Sequence, residues 1–481
     1  PMPLLWVVPL GLYLLSFTIA FAEKRGPARL CIAAAPFALL LAASMLFILS
    51  GAMLPLVVLT AILAMFLTAT ALHARLFDER PEPAQLTLFY LAMSVGGVLG
   101  GLFCALFAPL LFDWTYEHPL LMLAAAYLLG GRQPLRAVAS AMQGERAGRI
   151  LFLLVLLVLA SSFLAAMLGK VAILALLAAV AAGLATLALG RVWLFTLAIA
   201  TIILAGGGFR QLHDSLTGQM TRSYFGVYRI TENYGQRSLV HGTTTHGVQL
   251  LGSPERRRTP TSYYWTGSGV GRVMTSLPAL LGQNARVGVV GVGLGTLGCY
   301  SRPGQRWTLF EIDPTVIDIA RSPSFHFMRD CLPNGRVVIG DARLKLDEEA
   351  PGSFDILVID AFSSDAIPMH LLTKEAFAIY KRVLRPGGLL MIHISNRHLE
   401  LRPVVRTGGE SVGMTGLLAS AAGEPLVRGY ESTWTALSAD PALVARVKAT
   451  EPDLWVALPL GRRVHWTDDH ASILPVVVTP W

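Results

Sequence analysis

Residues 286–298 read RVGVVGVGLGTLG, and this stretch decides the fold of the second half of the chain. Its first five residues have the composition of a buried strand, and they run directly into a turn in which every second residue is glycine. Glycines at such a turn allow a tight bend and let the backbone approach a ligand at the N-terminus of the next helix. The stretch therefore predicts the first strand and the ligand-binding turn of an open α/β sheet.

Three further predicted strands end in acidic residues, and the carboxyl ends of parallel strands are where open α/β sheets bind ligands. The three strands are predicted at 307–310, 337–339 and 354–359. The residues that follow them are Glu311 and Asp313, then Asp341 and Ala342, and finally Asp360. An acid that ends the second strand about 20 residues after the glycines can accept hydrogen bonds from both ribose hydroxyls. We therefore expect Gly291, Gly293 and Gly295 to bind a ribose-containing cofactor together with Glu311, Asp313, Asp341 and Ala342.

Two more segments complete the pattern of this half. Residues 384–392 (LRPGGLLMI) predict a turn into a fifth strand, and residues 221–250 alternate polar and apolar side chains between turn signals, which is typical of a short β-meander. Strands that alternate with helical segments indicate a parallel, doubly wound sheet. NAD use is the main competitor for such a sheet. The triplet 340–342 (GDA) and the glycine turn before the fifth strand instead resemble class-I methyltransferase-like proteins, which implies that Asp341 contacts the adenine amino group.

The first half of the chain is much more apolar than the second. The whole chain is 54% hydrophobic and 15% charged, and the excess of apolar residues lies before Phe209. Nearly continuous apolar runs of about 20 residues match the hydrocarbon thickness of a bilayer. The runs lie approximately at 3–22, 30–50, 53–72, 86–111, 119–130, 150–168, 171–189 and 192–208. We expect a transmembrane helical domain of seven to eight spans at 1–209, a β-rich piece at 210–285 and a Rossmann-like catalytic domain at 286–481.

Loop charges in the first half indicate an orientation. Lysine and arginine residues follow the first, third and fifth apolar runs, whereas the loops after the second and fourth runs have none. Basic loops are retained in the cytoplasm, so eight spans would carry the second half to the outer face. Adenosyl cofactors, however, are cytosolic. Either a late run is re-entrant or the domain faces outward. On cofactor supply we expect an integral protein of the bacterial inner membrane with a cytoplasmic catalytic domain.

Charge and cysteine content argue against two other classes of site. The net charge is +8, but no run of lysines and arginines is interleaved with aromatic residues, so we expect no nucleic-acid partner. The four cysteines show neither a CxxC pair nor the spacing of metal ligands, and two lie in apolar runs. This pattern indicates no disulfide framework and no metal site. The cysteines are Cys31, Cys104, Cys299 and Cys331.

Residues from about 225 to 400 resemble the spermidine synthase family, the polyamine aminopropyltransferases. A β-rich piece precedes a Rossmann-like domain in that family too, and residues 358–365 (VIDAFSSD) resemble its catalytic stretch. In the first half, residues 73–76 (HARL), 86–90 (LTLFY) and 94–97 (SVGG) resemble bacterial membrane proteins in which a multi-span region is fused to a spermidine synthase-like domain. Together the two resemblances cover most of the chain.

The resemblance implies a role for each matching residue. Glu311 would bind ribose, Asp341 would contact adenine, and Asp360 would be the acid that positions and deprotonates the attacking amine. Asp365 belongs to the same catalytic stretch, and Tyr264 falls where the family has a gate tyrosine. The implied reaction is displacement at a carbon next to a sulfonium. Decarboxylated S-adenosylmethionine or S-adenosylmethionine would be consumed, and methylthioadenosine would be the leaving group.

The chain departs from the family pattern at two places. The family's glycine turn usually carries an acid that holds the cofactor's amine, and that position is Leu294 here. The family's tyrosine is usually followed by a His-Glu or Gln-Glu pair, whereas Tyr264 is followed by Trp265 and Thr266. Both changes fall where the aminopropyl tail or the acceptor should lie. The adenosine half of the site therefore matches the family, and the tail half does not.

Three functions stay open on this evidence. The first is a membrane-anchored aminopropyltransferase-like enzyme of EC 2.5.1 type. The second is methyl transfer or intramolecular cleavage of S-adenosylmethionine, which the loss of the acid at Leu294 would permit. The third is a non-catalytic transporter or sensor of a polyamine or adenosyl ligand. We expect a small-molecule amine or polyamine and membrane lipid as partners, and we allow for a homodimer.

Two further features can be interpreted as structural or as functional. His393, on the fifth predicted strand, is more often a core histidine with satisfied hydrogen bonds than a base. Residues 466–470 (WTDDH) contain two adjacent acids, which form a turn or helix cap more often than they line a cationic pocket.

Overall fold

The computed structural model describes residues 7–48, 53–131, 144–242, 244–361 and 368–478. The chain divides into two compact units, Leu4–Met220 and Thr221–Trp481. The first unit is helical, and the second combines a small antiparallel sheet with a larger mixed sheet. This is the fold class expected from the sequence, a set of long apolar helices followed by a Rossmann-like domain that begins with a β-rich piece.

Eight apolar helices account for most of the described part of the first unit. They are α1 (Val7–Ala20), α2 (Gly26–Met45), α3 (Leu54–Asp78), α4 (Pro83–Leu111), α5 (Glu117–Leu129), α6 (Glu145–Met167), α7 (Val171–Ala188) and α8 (Val192–Leu216). Within the described ranges, all except α1 and α5 are long and apolar enough to cross a bilayer, which makes six. Each predicted apolar run thus contains a helix, and the number of membrane spans stays a prediction.

Small residues are among the most deeply buried in these helices. Ala28, Ala74, Ala126 and Ala198 are completely buried. Alanine side chains are short enough to let helix backbones approach each other closely. The same unit therefore combines tightly packed small residues inside with leucines and other large apolar side chains on its exposed surface.

A four-stranded antiparallel sheet lies at the start of the second unit. Its strands, which follow one another in space as in sequence, are β1 (Met220–Ser223), β2 (Gly226–Asn233), β3 (Gln236–His241) and β4 (Thr244–Leu250). Tyr234 and Gly235 join β2 to β3 with φ angles of 50° and 72°. Two consecutive left-handed residues match the twist of a tight hairpin. The β-meander predicted for 221–250 is confirmed.

The larger sheet has eight strands. They are β5 (Arg286–Val290), β6 (Arg306–Glu311), β7 (Arg336–Ile339), β8 (Phe354–Ile359), β9 (Leu384–His393), β10 (Thr415–Ala421), β11 (Ser432–Ser438) and β12 (Trp455–Ala457). Their order across the sheet is β12-β10-β11-β9-β8-β5-β6-β7. The strands β5 to β9 are parallel to one another, and the other three add an antiparallel edge. The five parallel strands are those predicted from the sequence, and the antiparallel edge was not predicted.

Helices cover both faces of this sheet, so its central strands are buried. All six residues of β8 are buried. Val289 and Val358 belong to one hydrophobic cluster and their neighbours Val290 and Ile359 to another, because alternate side chains of a strand face opposite sides. The helices of this unit are α9 (Pro254–Arg257), α10 (Gly269–Thr275), α11 (Leu277–Leu281), α12 (Pro314–Arg321), α13 (Phe327–Cys331), α14 (Ala342–Asp347), α15 (Lys374–Val383), α16 (Arg402–Ser411) and α17 (Pro441–Thr450).

A disulfide joins Cys299 to Cys331, whose Cα atoms lie 4.7 Å apart. The expectation that the cysteines form no disulfide is therefore wrong. The two residues are 32 positions apart, and no spacing signal marks them. Only the fold brings together the 3-10 turn at Thr296–Tyr300 and α13. Cys31 and Cys104, in the apolar helices, are free.

Candidate active site

A cleft opens at the carboxyl ends of the parallel strands. It lies beside β5, which pairs with β6 on one side and with β8 on the other. Open α/β sheets bind ligands at such a switch in strand order. Carboxylates from three strands, the glycine turn and aromatic side chains from the small sheet meet there. The predicted site residues that line the cleft are Tyr264, Gly291, Gly293, Glu311, Asp313, Asp341, Ala342 and Asp360.

The glycine turn can be built only from glycine at its tightest point. Gly291 has a φ of 85°. A Cβ atom added to it would lie 2.0 Å from the carbonyl oxygen of Asp360. Gly295 has a φ of 79° and faces the sulfur of Met328, so the structure places it behind the cleft rather than in its lining. Gly293 lies in the cleft lining. A Cβ atom added to it would have one neighbour within 4 Å, the carbonyl oxygen of His246 at 3.4 Å.

Glu311 ends β6, and its carboxylate accepts three backbone hydrogen bonds. Its Oε2 accepts from the N–H of Val292 at 2.9 Å, and its Oε1 accepts from Ile312 at 2.9 Å and from Asp313 at 3.2 Å. The side chain thus fixes the glycine turn against the second strand. Burial is the larger influence and raises the pKa of the Glu311 carboxyl, although the hydrogen bonds oppose it.

Asp313 also lines the cleft, but the protein itself uses both of its oxygens. Oδ1 accepts from the N–H of Thr315 at 2.9 Å and caps α12. Oδ2 accepts from the hydroxyls of Ser223 at 2.5 Å and Tyr228 at 2.7 Å. Burial and this carboxylate raise the pKa of Tyr228 far above its ordinary range. The structure thus gives Asp313 a visible role in joining the small sheet to the Rossmann-like part.

Asp341 and Ala342 line the cleft directly after β7. Oδ1 of Asp341 accepts from the N–H of Arg343 at 2.9 Å and caps α14. Its Oδ2 lies 3.0 Å from Nε2 of His370, a residue that also lines the cleft. A ligand amino group that binds Asp341 therefore meets a carboxylate already oriented by a helix end and a histidine.

Asp360 follows β8 and is held by two side chains from different elements. Tyr264 donates its hydroxyl to Oδ2. His393, at the end of β9, places its Nδ1 2.8 Å from Oδ1. Burial and the nearby carboxylate raise the pKa of Tyr264 well above its usual range, so this tyrosine stays a donor. The arrangement leaves a buried carboxylate, 8% exposed, in the cleft wall.

Aromatic and imidazole rings from the small sheet and the following loop form part of the cleft wall. Tyr263, Tyr264 and Tyr228 line the cleft together with His241 and His246. Burial lowers the pKa of His246 to about 4, so its ring is neutral at pH 7. An electron-rich wall of this kind attracts cations such as a sulfonium or an ammonium group.

Leu294 occupies the position where the family pattern has an acid, and its side chain is buried. It is 1% exposed and belongs to a hydrophobic cluster with Tyr228, Val316, Phe325 and Phe327. The leucine therefore packs into the core beneath the turn instead of entering the cleft, and Leu294 is absent from the cleft lining.

Two predicted features lie elsewhere. Asp365 falls outside the described residues, so its role stays a prediction. In the stretch 466–470, Asp468 accepts from Arg343 Nη1 at 2.6 Å and from the hydroxyl of Thr373 at 2.9 Å. These contacts favour a structural role for the stretch over a cationic pocket, because the carboxylate of Asp468 forms an ion pair and is absent from the cleft lining.

Sequence comparison gives partial matches to polyamine aminopropyltransferases. The chain is 32% identical over 111 residues to the enzyme of Vibrio vulnificus, which is 22% of this chain and 36% of that protein. It is 25% identical over 198 residues to a probable polyamine aminopropyl transferase of Bifidobacterium longum, 40% of each chain. It is 31% identical over 129 residues to the enzyme of Nitrosomonas europaea, 26% of this chain and 39% of that one. The chain is thus homologous to these enzymes in part and spans at most two-fifths of the length of these three relatives. No protein-family model matches the sequence.

Among solved structures, a probable spermidine synthase from Corynebacterium glutamicum covers 53% of this chain and 97% of its own, with 16% identity and a TM-score of 0.40. Spermidine synthase from Thermotoga maritima covers 52% of this chain and 80% of its own, with 16% identity and a TM-score of 0.35.

Proposed function

We propose that the second unit is a spermidine synthase-like transferase of EC 2.5.1 type. It moves an aminopropyl or related alkyl group from decarboxylated S-adenosylmethionine, or from S-adenosylmethionine, to an amine and releases methylthioadenosine. The observation that carries the proposal is the placement of Asp360. This buried carboxylate, held by Tyr264, lies in the same cleft as the two acids assigned to adenosine, Glu311 and Asp341. Partial homology to polyamine aminopropyltransferases supports the same reaction class.

The residues of the cleft provide the contacts that the adenosine part of such a substrate needs. Glu311 presents a carboxylate whose orientation is fixed by three backbone N–H groups, and it can accept from the ribose hydroxyls. Asp341 can accept from the adenine amino group. Gly291 and Gly293 keep the floor of the cleft free of side chains where the ligand must approach the backbone.

Asp360 supplies the base that the reaction requires. An ammonium group has no free electron pair, so it must lose a proton before it can attack carbon. The carboxylate of Asp360 takes that proton. The amine nitrogen then forms a bond to the carbon beside the sulfonium, the carbon–sulfur bond breaks, and its electron pair stays on the sulfur of methylthioadenosine. The tyrosine wall at Tyr263 and Tyr264 stabilises the cationic substrates next to this carboxylate.

A product analysis tests the reaction class. The purified full-length protein is incubated with each of the two sulfonium substrates, with and without putrescine, and the released nucleoside is identified by mass spectrometry. We expect methylthioadenosine to appear only when the amine is present. S-adenosylhomocysteine would establish methyl transfer instead, and the absence of any released nucleoside would establish a binding protein.

One observation favours a second candidate, the intramolecular cleavage of S-adenosylmethionine. The position that would grip the amine of the transferred tail is Leu294, and its side chain lies in the apolar cluster below the turn. A tail that is not held by a carboxylate is freer to fold back on its own carbon. Methylthioadenosine released without any added amine would favour this lyase reaction over transfer.

We further propose that the apolar helices anchor the enzyme in the bacterial inner membrane, in contact with lipid, with the second unit on the cytoplasmic side where its substrates are made. Six described helices have the length and composition of membrane spans. The disulfide between Cys299 and Cys331 is evidence for the opposite side, because disulfides are rare in the reducing cytosol. The loop charges also favour the outer face for the second unit if the first unit has eight spans.

Labelling of an introduced cysteine decides the side. Leu426 is 88% exposed, so a thiol in the Leu426→Cys variant is accessible in the folded protein. We expect a membrane-impermeant maleimide to add no label beyond that of the wild type in intact cells and to add one label after permeabilisation. Extra labelling in intact cells would place the second unit outside and require an external source of the sulfonium substrate.

A further inference from the structure

The imidazole of His393 is enclosed at the end of β9. Its ring is stacked between Tyr263, with ring centres 4.8 Å apart, and Trp434, with ring centres 4.6 Å apart. The residue is 6% exposed. Stacking on both faces leaves only the edge of the ring for polar contacts, and the two ring nitrogens lie on that edge. The position of the ring is therefore set by packing, independently of any substrate.

Both ring nitrogens have polar partners. Nδ1 lies 2.8 Å from Oδ1 of Asp360, and Nε2 lies 2.7 Å from the hydroxyl oxygen of Ser395. The backbone N–H of Thr433 donates to that same hydroxyl oxygen at 2.8 Å. A chain of hydrogen bonds thus runs from the backbone of β11 through Ser395 and His393 to Asp360.

The direction of these bonds follows from what each end can do. A backbone N–H only donates, and an ionised carboxylate only accepts. Nδ1 of His393 must therefore carry the hydrogen that points at Asp360. In the neutral ring Nε2 then accepts from the hydroxyl of Ser395, which in turn accepts from Thr433. In the neutral ring this direction of bonding corresponds to one tautomer, with the hydrogen on Nδ1.

We propose that His393 is a positioning residue for Asp360, and this rests on the proposed role of Asp360 as the base. Tyr264 holds one carboxylate oxygen and His393 holds the other. Two donors from different elements fix the plane of the carboxylate, so its remaining electron pairs keep a constant direction toward the cleft. A base held in this way needs no reorientation when the amine arrives, which is how positioned groups gain rate. Ser395 acts one step further away, because it selects the tautomer that can donate to Asp360.

The first test does not depend on activity. The full-length protein is labelled with ring-¹⁵N-histidine, and its nitrogen resonances are recorded by NMR in the neutral range of pH. We expect one buried histidine in the neutral Nδ1–H form, which is the less common tautomer in water, and we expect its signals to vanish in His393→Asn. If the signals that vanish belong to the Nε2–H tautomer or to a charged ring, the hydrogen-bond chain is wrong.

The second test compares two substitutions of the same residue. The amide nitrogen of asparagine reaches the place of Nδ1, so His393→Asn should keep most of the turnover. His393→Leu removes the donor, and its kcat should fall about 10- to 100-fold, since a misplacement of a reacting group by about 1 Å costs up to about 100-fold. The KM for the sulfonium substrate and the affinity for methylthioadenosine should stay within about twofold of the wild type, because the adenosine contacts are untouched.

Thr435→Val is the matched control. Thr435 is completely buried on β11, and its hydroxyl donates to the carbonyl of Ile392 next to His393. In the described part of the chain its hydroxyl bonds to Ile392 and not to Asp360, so this variant should keep its kcat even if it loses stability. Equal loss of kcat in both His393 variants, or a parallel loss of methylthioadenosine affinity, would reduce His393 to a packing residue. If the wild type releases no methylthioadenosine, the proposed function fails, and the NMR signature alone decides whether His393 holds Asp360.

Discussion

The Asp360→Asn variant is expected to lose turnover to methylthioadenosine by about 100-fold or more, the scale of losing a positioned base. Asparagine keeps the shape of the side chain but has neither the charge nor the basicity that deprotonates an ammonium group. The two donors around it limit the structural damage, because the hydroxyl of Tyr264 can turn and accept from the new amide. Steady-state kinetics with a saturating amine measure the loss.

Binding of methylthioadenosine should survive this change, because we assign the adenosine contacts to Glu311 and Asp341, which the substitution leaves in place. Asp355→Asn is a suitable control, since Asp355 is a buried acid on β8 and pairs with Arg286 and Arg385 at the end of the strand opposite Asp360. That variant should lose stability and keep its turnover per folded molecule. Wild-type turnover in Asp360→Asn would remove this residue from the role of base.

Replacement of Glu311 by glutamine is expected to weaken methylthioadenosine binding by about 1.5–3 kcal/mol, or about 10- to 150-fold, the range for hydrogen bonds to a charged group. The carboxylate accepts from Val292, Ile312 and Asp313 while it faces the cleft. The NH₂ group of glutamine cannot accept a hydrogen bond. At least one backbone N–H group or ligand hydroxyl that donates to the carboxylate therefore loses its acceptor. Isothermal calorimetry on the folded variant measures the change.

The pH dependence of the wild type provides a second measurement on Glu311. Burial raises the pKa of this carboxyl above its ordinary value, so protonation removes the negative charge at a higher pH than for an exposed glutamate. Affinity for methylthioadenosine should therefore be highest above that pKa and should fall as the pH is lowered through it. Glu349→Gln, which alters only an ion pair with Arg336, should reproduce the wild-type curve. Unchanged affinity in Glu311→Gln would disprove the ribose assignment.

The parallel half of the sheet could be read from the sequence because each strand is a short apolar run that ends in a distinctive residue. The run 286–290 and the six buried residues of β8 have nearly no polar side chains, as strands covered on both faces require. The turn at Gly291 could also be predicted, because this position requires glycine. Its backbone is left-handed, and the nearby carbonyl of Asp360 leaves no room for a side chain. Local composition therefore determines these elements.

The parts that could not be predicted depend on contacts between distant residues. The antiparallel strands β10, β11 and β12 pair at the edge of the sheet, and their sequences carry no motif comparable to the glycine turn. The bond between Cys299 and Cys331 depends on α13 folding back on the turn after β5. His393 was expected to be a satisfied core histidine, which agrees with its burial and its two partners. Its contact with Asp360 spans 33 residues, and spacing alone does not reveal it.

The burial of Leu294 has a consequence for how this site can change over time. The side chain fills the space above Gly247, where an added Cβ would lie 2.7 Å from its Cδ1. An aspartate at this position would place a charge among Val316, Phe325 and Phe327, where desolvation costs several kcal/mol without a partner. A single change from leucine to aspartate is therefore expected to destabilise the turn. An acid is accommodated here only if the apolar neighbours change as well, so this part of the site is expected to change as a block and not one residue at a time.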